Sequence, residues 1–218
     1  MKQILVLLFL ALIANDAVAQ SVKPMGAVQL IGTDGIQNLI SEKTGEVLDW
    51  PFKDGVLTVN PGKSNHAITS MPLGDFKAHI EFRVNEKKGK WGNNGNSGVY
   101  IQQRYELQIL NSFGRDKEYT FSDCGSIYKT KMPDAIVCRP AGEWQTYDIE
   151  FHQARWDGDK KIANARIRVI HNGVKIHDNF EIPAKTGHGK AETPSKMPLR
   201  LQDHSNKVEF RNFWIKEI

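Results

Sequence analysis

The sequence lacks the patterns that mark several common kinds of binding site. It has no phosphate-binding loop, because the Gly- and Asn-rich stretch from Gly92 to Asn96 has no Lys-Ser/Thr ending. It has no His-Glu-x-x-His motif, and its 7 histidines are scattered along the chain. The net charge is only +4, and no long run of Lys and Arg is present. We therefore expect no nucleic-acid partner.

Long apolar runs are also scarce, and the one near the start of the chain is short. It extends from Ile4 to Ala14, whereas a membrane-spanning helix needs about 17–25 residues. Lys2 precedes the run, and Ala17-Val18-Ala19 follows it as the small-x-small pattern of a signal peptide. We expect residues 1–19 to be removed on export to the periplasm or the extracellular space. Residues 20–218 would then form one domain without a membrane anchor.

Cysteine is rare, with 2 residues in the chain, Cys124 and Cys138. Their separation matches no metal-ligand spacing, so the sequence gives no indication of a zinc site through them. A pair of thiols in an exported protein usually becomes oxidised. The sequence therefore predicts a Cys124–Cys138 disulfide, with two buried free thiols as the alternative.

What the sequence has in abundance is alternation of period two. Ile80, Phe82 and Val84 alternate with Glu81 and Arg83, as in a strand with one buried face. The dipeptide Asn172-Gly173 predicts a two-residue hairpin turn. The same alternation recurs at 105–110, 147–152, 166–169 and 199–202. Together these features predict an all-β fold, a sandwich or jelly roll of two antiparallel sheets.

Two of the predicted strands have polar faces that suit a carbohydrate. Glu106 and Gln108 share one face of their strand, and Arg200, Gln202 and His204 share one face of another. Such side chains can hydrogen-bond sugar hydroxyls and carbonyls. A solvated sheet face without function remains the alternative.

The strand around Glu106 carries a single carboxylate. Conventional glycosidases place two carboxyl groups across the scissile bond. Here the next positions on the same face as Glu106 are Gln108 and Leu110. The strand therefore argues against a conventional two-carboxylate glucanase.

Several motifs in order resemble one family. Asn96-Ser97-Gly98-Val99-Tyr100 leads into the strand from Tyr105 to Ser112, and further matching stretches follow at 123–128, 139–148, 171–173 and 201–204. Over roughly Val28 to Ile218 the chain resembles the 3-keto-disaccharide hydrolase domain family. The resemblance implies a concanavalin A-like sandwich and cleavage of glycosides that carry a ketone at C3. The substrate would be an oxidised mono- or disaccharide.

This resemblance suggests roles for the polar residues. We expect Glu106 or His204 to be the catalytic base. The sugar oxygens would be held by Gln108, Arg139 and Gln202, with the aromatic side chains of Tyr100 and Trp144 nearby. No specific cofactor is predicted, although Asp123 and Asp203 with Glu106 would suit a divalent cation such as calcium.

One departure from the family pattern leaves alternatives open. Asn111 stands where an Asp is common in the family. If that position contributes to the chemistry, the chain would be a non-catalytic carbohydrate-binding sandwich. A conventional glucanase is the third alternative.

Overall fold

The predicted all-β sandwich is confirmed. The structure is a computed structural model that describes residues 22–85 and 95–218. Its strands are β1 Val28–Ile31, β2 Leu39–Ser41, β3 Phe52–Lys53, β4 Val56–Thr58, β5 Ala67–Thr69, β6 Phe76–Val84, β7 Ser97–Ile101, β8 Tyr105–Ile109, β9 Gln145–His152, β10 Arg155–Asp157, β11 Lys160–Ala163, β12 Ala165–His171, β13 Val174–Ile182, β14 Arg200–Leu201 and β15 Val208–Glu217.

Two antiparallel sheets form the sandwich. The larger has 8 strands in the order β13-β12-β9-β6-β15-β4-β3, with β1 also paired to β15. The smaller has 5 strands in the order β2-β5-β14-β7-β8. β10 and β11 form a separate ribbon. Within residues 22–85 and 95–218 no helix is long and apolar enough to cross a membrane.

The core lies between the two sheets and follows the alternation read from the sequence. Ile80, Phe82 and Val84 on β6 are all 0% exposed. Phe82 packs on Tyr147 of β9, with ring centroids 4.7 Å apart. Leu107 on β8 brings the smaller sheet into the same core. Polar residues between these positions therefore point away from the core on both sheets.

Two hairpin turns place residues in the left-handed region. Asn172 and Gly173 have φ of 52° and 82°, which confirms the predicted turn between β12 and β13. Gln102 and Gln103 form the turn between β7 and β8 with φ of 50° and 54°, although neither is glycine. The Gln102 side chain donates to the Leu73 carbonyl at 2.7 Å, and this contact helps to hold the turn.

The chain between β13 and β14 is a docked segment, which we call the cover segment (residues 183–198). Arg104, only 2% exposed, holds it by donating to Ala191 O at 3.0 Å and Thr193 Oγ1 at 2.6 Å. Gly189 lies against the Arg104 carbonyl so closely that a Cβ would sit 2.1 Å from that oxygen. The end of the β7–β8 hairpin therefore fixes the segment over the smaller sheet.

Replacement of Arg104 by Met should destabilise the protein. It removes a charged donor and leaves several partly buried acceptors unpaired, so we expect a loss of about 1.5–3 kcal/mol in the free energy of unfolding. Urea unfolding of Arg104→Met beside Arg166→Met, which removes an exposed ion pair with Glu181, would measure it. Equal urea midpoints for the two variants would show that the contacts of Arg104 with the cover segment do not stabilise the fold.

The predicted disulfide is not formed in the structure. Cys124 and Cys138 are both free, Cys124 fully buried and Cys138 half-buried. Each sulfur has a hydroxyl partner: Tyr147 at 3.2 Å from Cys124 Sγ and Tyr119 at 3.1 Å from Cys138 Sγ. The other alternative read from the sequence, two free thiols, therefore describes the structure.

Two other expectations fall on residues that the structure does not describe. The signal peptide predicted at residues 1–19 lies outside the described residues. So does most of the Gly- and Asn-rich stretch that ends at Asn96. Export therefore stays a prediction from the sequence.

Candidate active site

A row of directly opposed residues crosses the smaller sheet on the face that points away from the core. The registers of β2, β5, β14, β7 and β8 place it in one line: Ile40, Ile68, Arg200, Tyr100 and Glu106. Since directly opposed side chains in antiparallel strands are close neighbours, the polar end of this row forms one cluster. β14 is only two residues long, and its neighbours β5 and β7 hold Arg200 in line.

Glu106 stands at the end of the row in a tightly fitted position. It is 3% exposed, and the Tyr100 hydroxyl donates to its Oε2 at 2.8 Å. Gly98 on β7 leaves room for the carboxylate, because a Cβ there would lie 2.7 Å from Glu106 Oε1. On the other side, the cover segment brings Gly187 close, where a Cβ would lie 3.5 Å from Oε2. Two glycines therefore shape the space that the carboxylate occupies.

The environment makes Glu106 a carboxyl group that titrates near neutrality. Burial raises its pKa to about 7, because the ionised form loses hydration. The Tyr100 hydrogen bond and the positive charges of Arg200 and Lys129 act in the opposite direction. A base with such a pKa can accept a proton near pH 7 and be regenerated there.

Arg200 supplies the positive charge of the cluster. Its guanidinium lies 4.1 Å from the centroid of the Tyr100 ring, and Nη1 is 3.4 Å from Glu42 Oε2. Its Nε has no hydrogen-bond partner among the described residues. Arg200 is 7% exposed, so this donor is largely buried, in the same row of opposed residues as Glu106.

Gln202 and Gln108 lie on the same face of the smaller sheet, each two residues after a member of the row, Arg200 and Glu106 respectively. The Gln202 backbone donates to the Gly98 carbonyl at 3.0 Å, and Gly98 pairs with Gln108. The Gln202 side-chain oxygen has no hydrogen-bond partner in the part of the chain described. Gln108 is committed to the fold, since its Nε2 donates to Ser122 O at 3.2 Å. Of these two predicted contacts, Gln202 is the better placed for a ligand.

The histidine nearest to this cluster is not the one predicted. His204 is exposed in the turn after β14, where its carbonyl accepts from Asn206. His66, just before β5, accepts from the Asp203 backbone N–H at Nδ1, 3.0 Å away. Burial lowers the pKa of His66, and the charge of Arg200 lowers it further. No sequence pattern singles out His66; only the pairing of β5 with β14 brings it near Arg200.

The two aspartates predicted as metal ligands serve the fold instead. Asp123 is 0% exposed and accepts from Ser112, Thr120 and Arg115, the last at 2.9 Å. Asp203 accepts from the backbone N–H groups of Ser205 and Asn65. Their oxygens are thus taken by protein donors, and this set does not fit a divalent cation.

Comparison of the chain with known proteins identifies its family. The model of the 3-keto-alpha-glucoside-1,2-lyase-like domain matches residues 36–216. The chain belongs to this family. The resemblance read from the motifs is thereby confirmed, and the sandwich of two antiparallel sheets agrees with the predicted fold class. Membership supports a carbohydrate-active enzyme.

Solved structures of the same kind come from Parabacteroides distasonis. One candidate glycosyl hydrolase has 32% sequence identity and a TM-score of 0.79, over 89% of this chain and 85% of its own. A second has 22% identity and a TM-score of 0.59, over 88% of this chain and 99% of its own, and it shows the fold alone. No curated protein matches the chain.

In this member of the 3-keto-alpha-glucoside-1,2-lyase-like family, two predicted sugar contacts lie on the opposite sheet. Trp144 precedes β9 and packs under Arg83 and Arg211, whose guanidinium carbons are 4.7 Å and 4.0 Å from its ring centroid. Arg139 and Trp144 line an open groove of about 1120 Å³ with Glu81 of β6. That groove is on the outer face of the larger sheet, so neither residue joins Glu106.

Proposed function

We propose that this protein is an exported enzyme that cleaves glycosides carrying a ketone at C3 of the sugar. The cleavage proceeds by removal of the C2 proton, elimination of the C1 substituent and hydration of the product. The observation that supports it best is one buried carboxylate, Glu106, whose pKa is raised to about 7 beside a cationic cluster. The signal-peptide pattern at residues 1–19 supports a periplasmic or extracellular location.

The chemistry needs one base rather than a pair of carboxylates. A ketone at C3 acidifies the C2–H bond. Glu106 takes that proton, and the C–H electron pair forms an enolate over C2, C3 and the C3 oxygen. Collapse of the enolate restores the ketone, forms the C1–C2 double bond and breaks the C1–O bond. The leaving oxygen takes the proton from Glu106 and departs as an alcohol, which restores the carboxylate before water adds. Water then adds across the resulting enone. A positioned base contributes about 10²–10⁴-fold to such a step.

The rest of the cluster suits the charge that develops. As the C2 proton leaves, negative charge moves to the C3 oxygen. Arg200 is a cation whose Nε has no hydrogen-bond partner within residues 22–85 and 95–218, and its side chain is largely buried. A preorganised cation or donor in a water-poor site stabilises an enolate strongly. We assign Arg200 to the C3 oxygen and Gln202 to a neighbouring sugar hydroxyl.

Glu106 is a better candidate for the base than His204. The His204 side chain is exposed, whereas Glu106 has the burial and the adjacent cation that proton abstraction next to a ketone requires. The single carboxylate also sets this site apart from that of a conventional glucanase, because Gln108 occupies the next position on its face.

Deuterium incorporation distinguishes elimination from direct hydrolysis. In D₂O, elimination followed by hydration places solvent deuterium at C2 of the released 3-keto sugar, whereas direct displacement at C1 leaves C2–H intact. We expect mass spectrometry of the product from a 3-keto disaccharide to show one added deuterium bound to carbon. Control incubation of the released sugar with Glu106→Gln protein measures non-enzymatic exchange. Product without deuterium above that control would contradict the mechanism.

The pKa of Glu106 also predicts the pH dependence of the rate. The base must be ionised, so kcat/KM should rise with pH and level off above about pH 7. The residual activity of Glu106→Gln should lack this rise. If kcat/KM of the wild type did not change with pH around pH 7, Glu106 would not be the base.

A measurement of stability against pH gives an independent check of the Glu106 pKa. The folded carboxyl holds its proton up to about pH 7, whereas the unfolded one holds it only up to about pH 4.5. The free energy of unfolding of the wild type, relative to that of the variant, should therefore decrease as the pH rises from about 4.5 to about 7.

A further inference from the structure

The structure brings together three soft metal ligands that the sequence keeps apart. Cys124, Cys138 and His171 each offer one ligand atom, and these atoms all lie within 4.8 Å of one another. Cys124 is on the loop after β8, Cys138 precedes β9, and His171 ends β12. We infer that they form a binding site for a soft divalent cation of the zinc class, held by two thiolates and one imidazole.

The hydrogen bonds around His171 fix which ring nitrogen is free. The Gln145 side-chain oxygen accepts from the Arg139 backbone N–H at 3.0 Å, and a backbone N–H can only donate. That oxygen is therefore an acceptor, so His171 Nε2, 3.0 Å away, must carry a proton and donate to it. The lone pair is left on Nδ1, the atom near the Cys124–Gly125 loop.

This arrangement matches the usual surroundings of a metal-bound histidine. Such a histidine donates its second ring N–H to a carbonyl or carboxylate, which sets the tautomer and the ring orientation. Gln145 supplies that acceptor here, and it is itself 0% exposed.

The ligand set selects the class of metal. Two sulfurs and one imidazole nitrogen favour divalent ions of the zinc class over calcium or magnesium. A tetrahedral zinc ion separates its ligand atoms by about 3.5–4 Å, so small side-chain shifts would close the site. Binding of Zn²⁺ converts two S–H groups into two Zn–S bonds and releases two protons. A fourth position remains near the Tyr119 hydroxyl, which lies 3.1 Å from Cys138 Sγ.

The site would stabilise the fold behind the candidate active site. Between β8 and β9 the chain makes a long excursion with one 3-10 turn, and Cys124 and Cys138 both belong to it. Gly125, next to Cys124, donates to the Gln108 carbonyl of β8 at 3.0 Å. A metal would tie this excursion to β12 of the larger sheet. The inference does not depend on the proposed reaction, because its test needs no substrate.

The first test is metal binding by the purified full-length protein, prepared with reductant and chelator and then freed of both. Titration with Co²⁺ should give a thiolate-to-cobalt charge-transfer band that saturates at one ion per chain, and added Zn²⁺ should abolish it. Intact-mass spectrometry under denaturing conditions reports the thiol state of protein purified without reductant. A mass lower by two hydrogen atoms would reveal a Cys124–Cys138 disulfide and overturn the inference, as would the absence of the band in the reduced protein.

Variants separate ligands from neighbours. Cys138→Ser should remove most of the cobalt band, while His177→Gln, at an equally buried histidine bonded to the Gly125 carbonyl, should leave it intact. Gln145→Met keeps the volume but removes the acceptor for His171, so zinc affinity should fall about 10–100-fold. Thermal unfolding of each metal-free variant shows whether it is folded. If folded Cys138→Ser kept the full band, these residues would not be the ligands.

Discussion

Replacement of Glu106 by Gln should lower turnover of a 3-keto glycoside by about 10²–10⁴-fold. The amide keeps the size of the side chain and can still accept from the Tyr100 hydroxyl, which is 2.8 Å from Oε2 in the wild type. It cannot take a proton from C2. Substrate binding, measured by calorimetry, should change much less than kcat.

A matched control is available on the surface of the same protein. Glu46→Gln removes an exposed carboxylate far along the chain from the β7–β8 strands and should leave kcat unchanged. If Glu106→Gln were as active as Glu46→Gln, Glu106 would have no part in the reaction. Loss of binding together with turnover would instead assign Glu106 to substrate binding, as expected for a non-catalytic carbohydrate module.

Replacement of Gly98 by Ala should lower turnover by about 10²-fold, because the new methyl group displaces the Glu106 side chain. The added Cβ would lie 2.7 Å from Glu106 Oε1 and 3.0 Å from Glu106 Cγ, so the carboxylate must move. Displacement of a catalytic group by about 1 Å lowers the rate by about 10²-fold. Gly98 lies in β7 without a positive φ, so its backbone accepts alanine.

A double-mutant cycle shows whether Gly98 acts through Glu106. If the methyl group acts only by moving the carboxylate, Gly98→Ala should cost little further activity in the Glu106→Gln background. Gly32→Ala is a suitable control, since the closest contact of its Cβ would be the Gln29 side chain at 3.2 Å, on the other sheet from Glu106. Additive losses in the double variant would mean that Gly98→Ala disturbs the sheet rather than the base.

Much of the fold follows from local patterns in the sequence. Period-two alternation identified the buried positions Ile80, Phe82 and Val84, because a strand on one side of a sandwich must bury every second residue. The Asn172-Gly173 turn was also predictable, because both residues tolerate a positive φ. The same turn at Gln102-Gln103 carries no such signal and depends on tertiary contacts.

The candidate site was only partly predictable. Alternation shows that Glu106 and Gln108 share a face, but it does not show which strands lie beside them. Arg200 joins Glu106 through β14 and β7, and that pairing depends on tertiary structure. Arg139 and Trp144 belong to matching motifs, yet they lie where the chain enters the larger sheet. Sequence order therefore placed them with the wrong sheet.

The thiol pair shows the same limit. From the sequence, Cys124 and Cys138 could only be compared with each other, and an exported protein favours a disulfide. The structure adds His171, which reaches them only because β12 pairs with β9. A ligand set assembled from three separate segments leaves no spacing motif to read.

The central claim is tested most directly by turnover of two substrates offered side by side to the purified protein. One is a 3-keto disaccharide and the other is its unoxidised parent, with products followed by mass spectrometry. The account predicts cleavage of the ketone substrate alone, since only the ketone makes the C2 proton removable by Glu106. Cleavage of the unoxidised parent at a similar rate, or cleavage of neither while the sugar still binds, would contradict it.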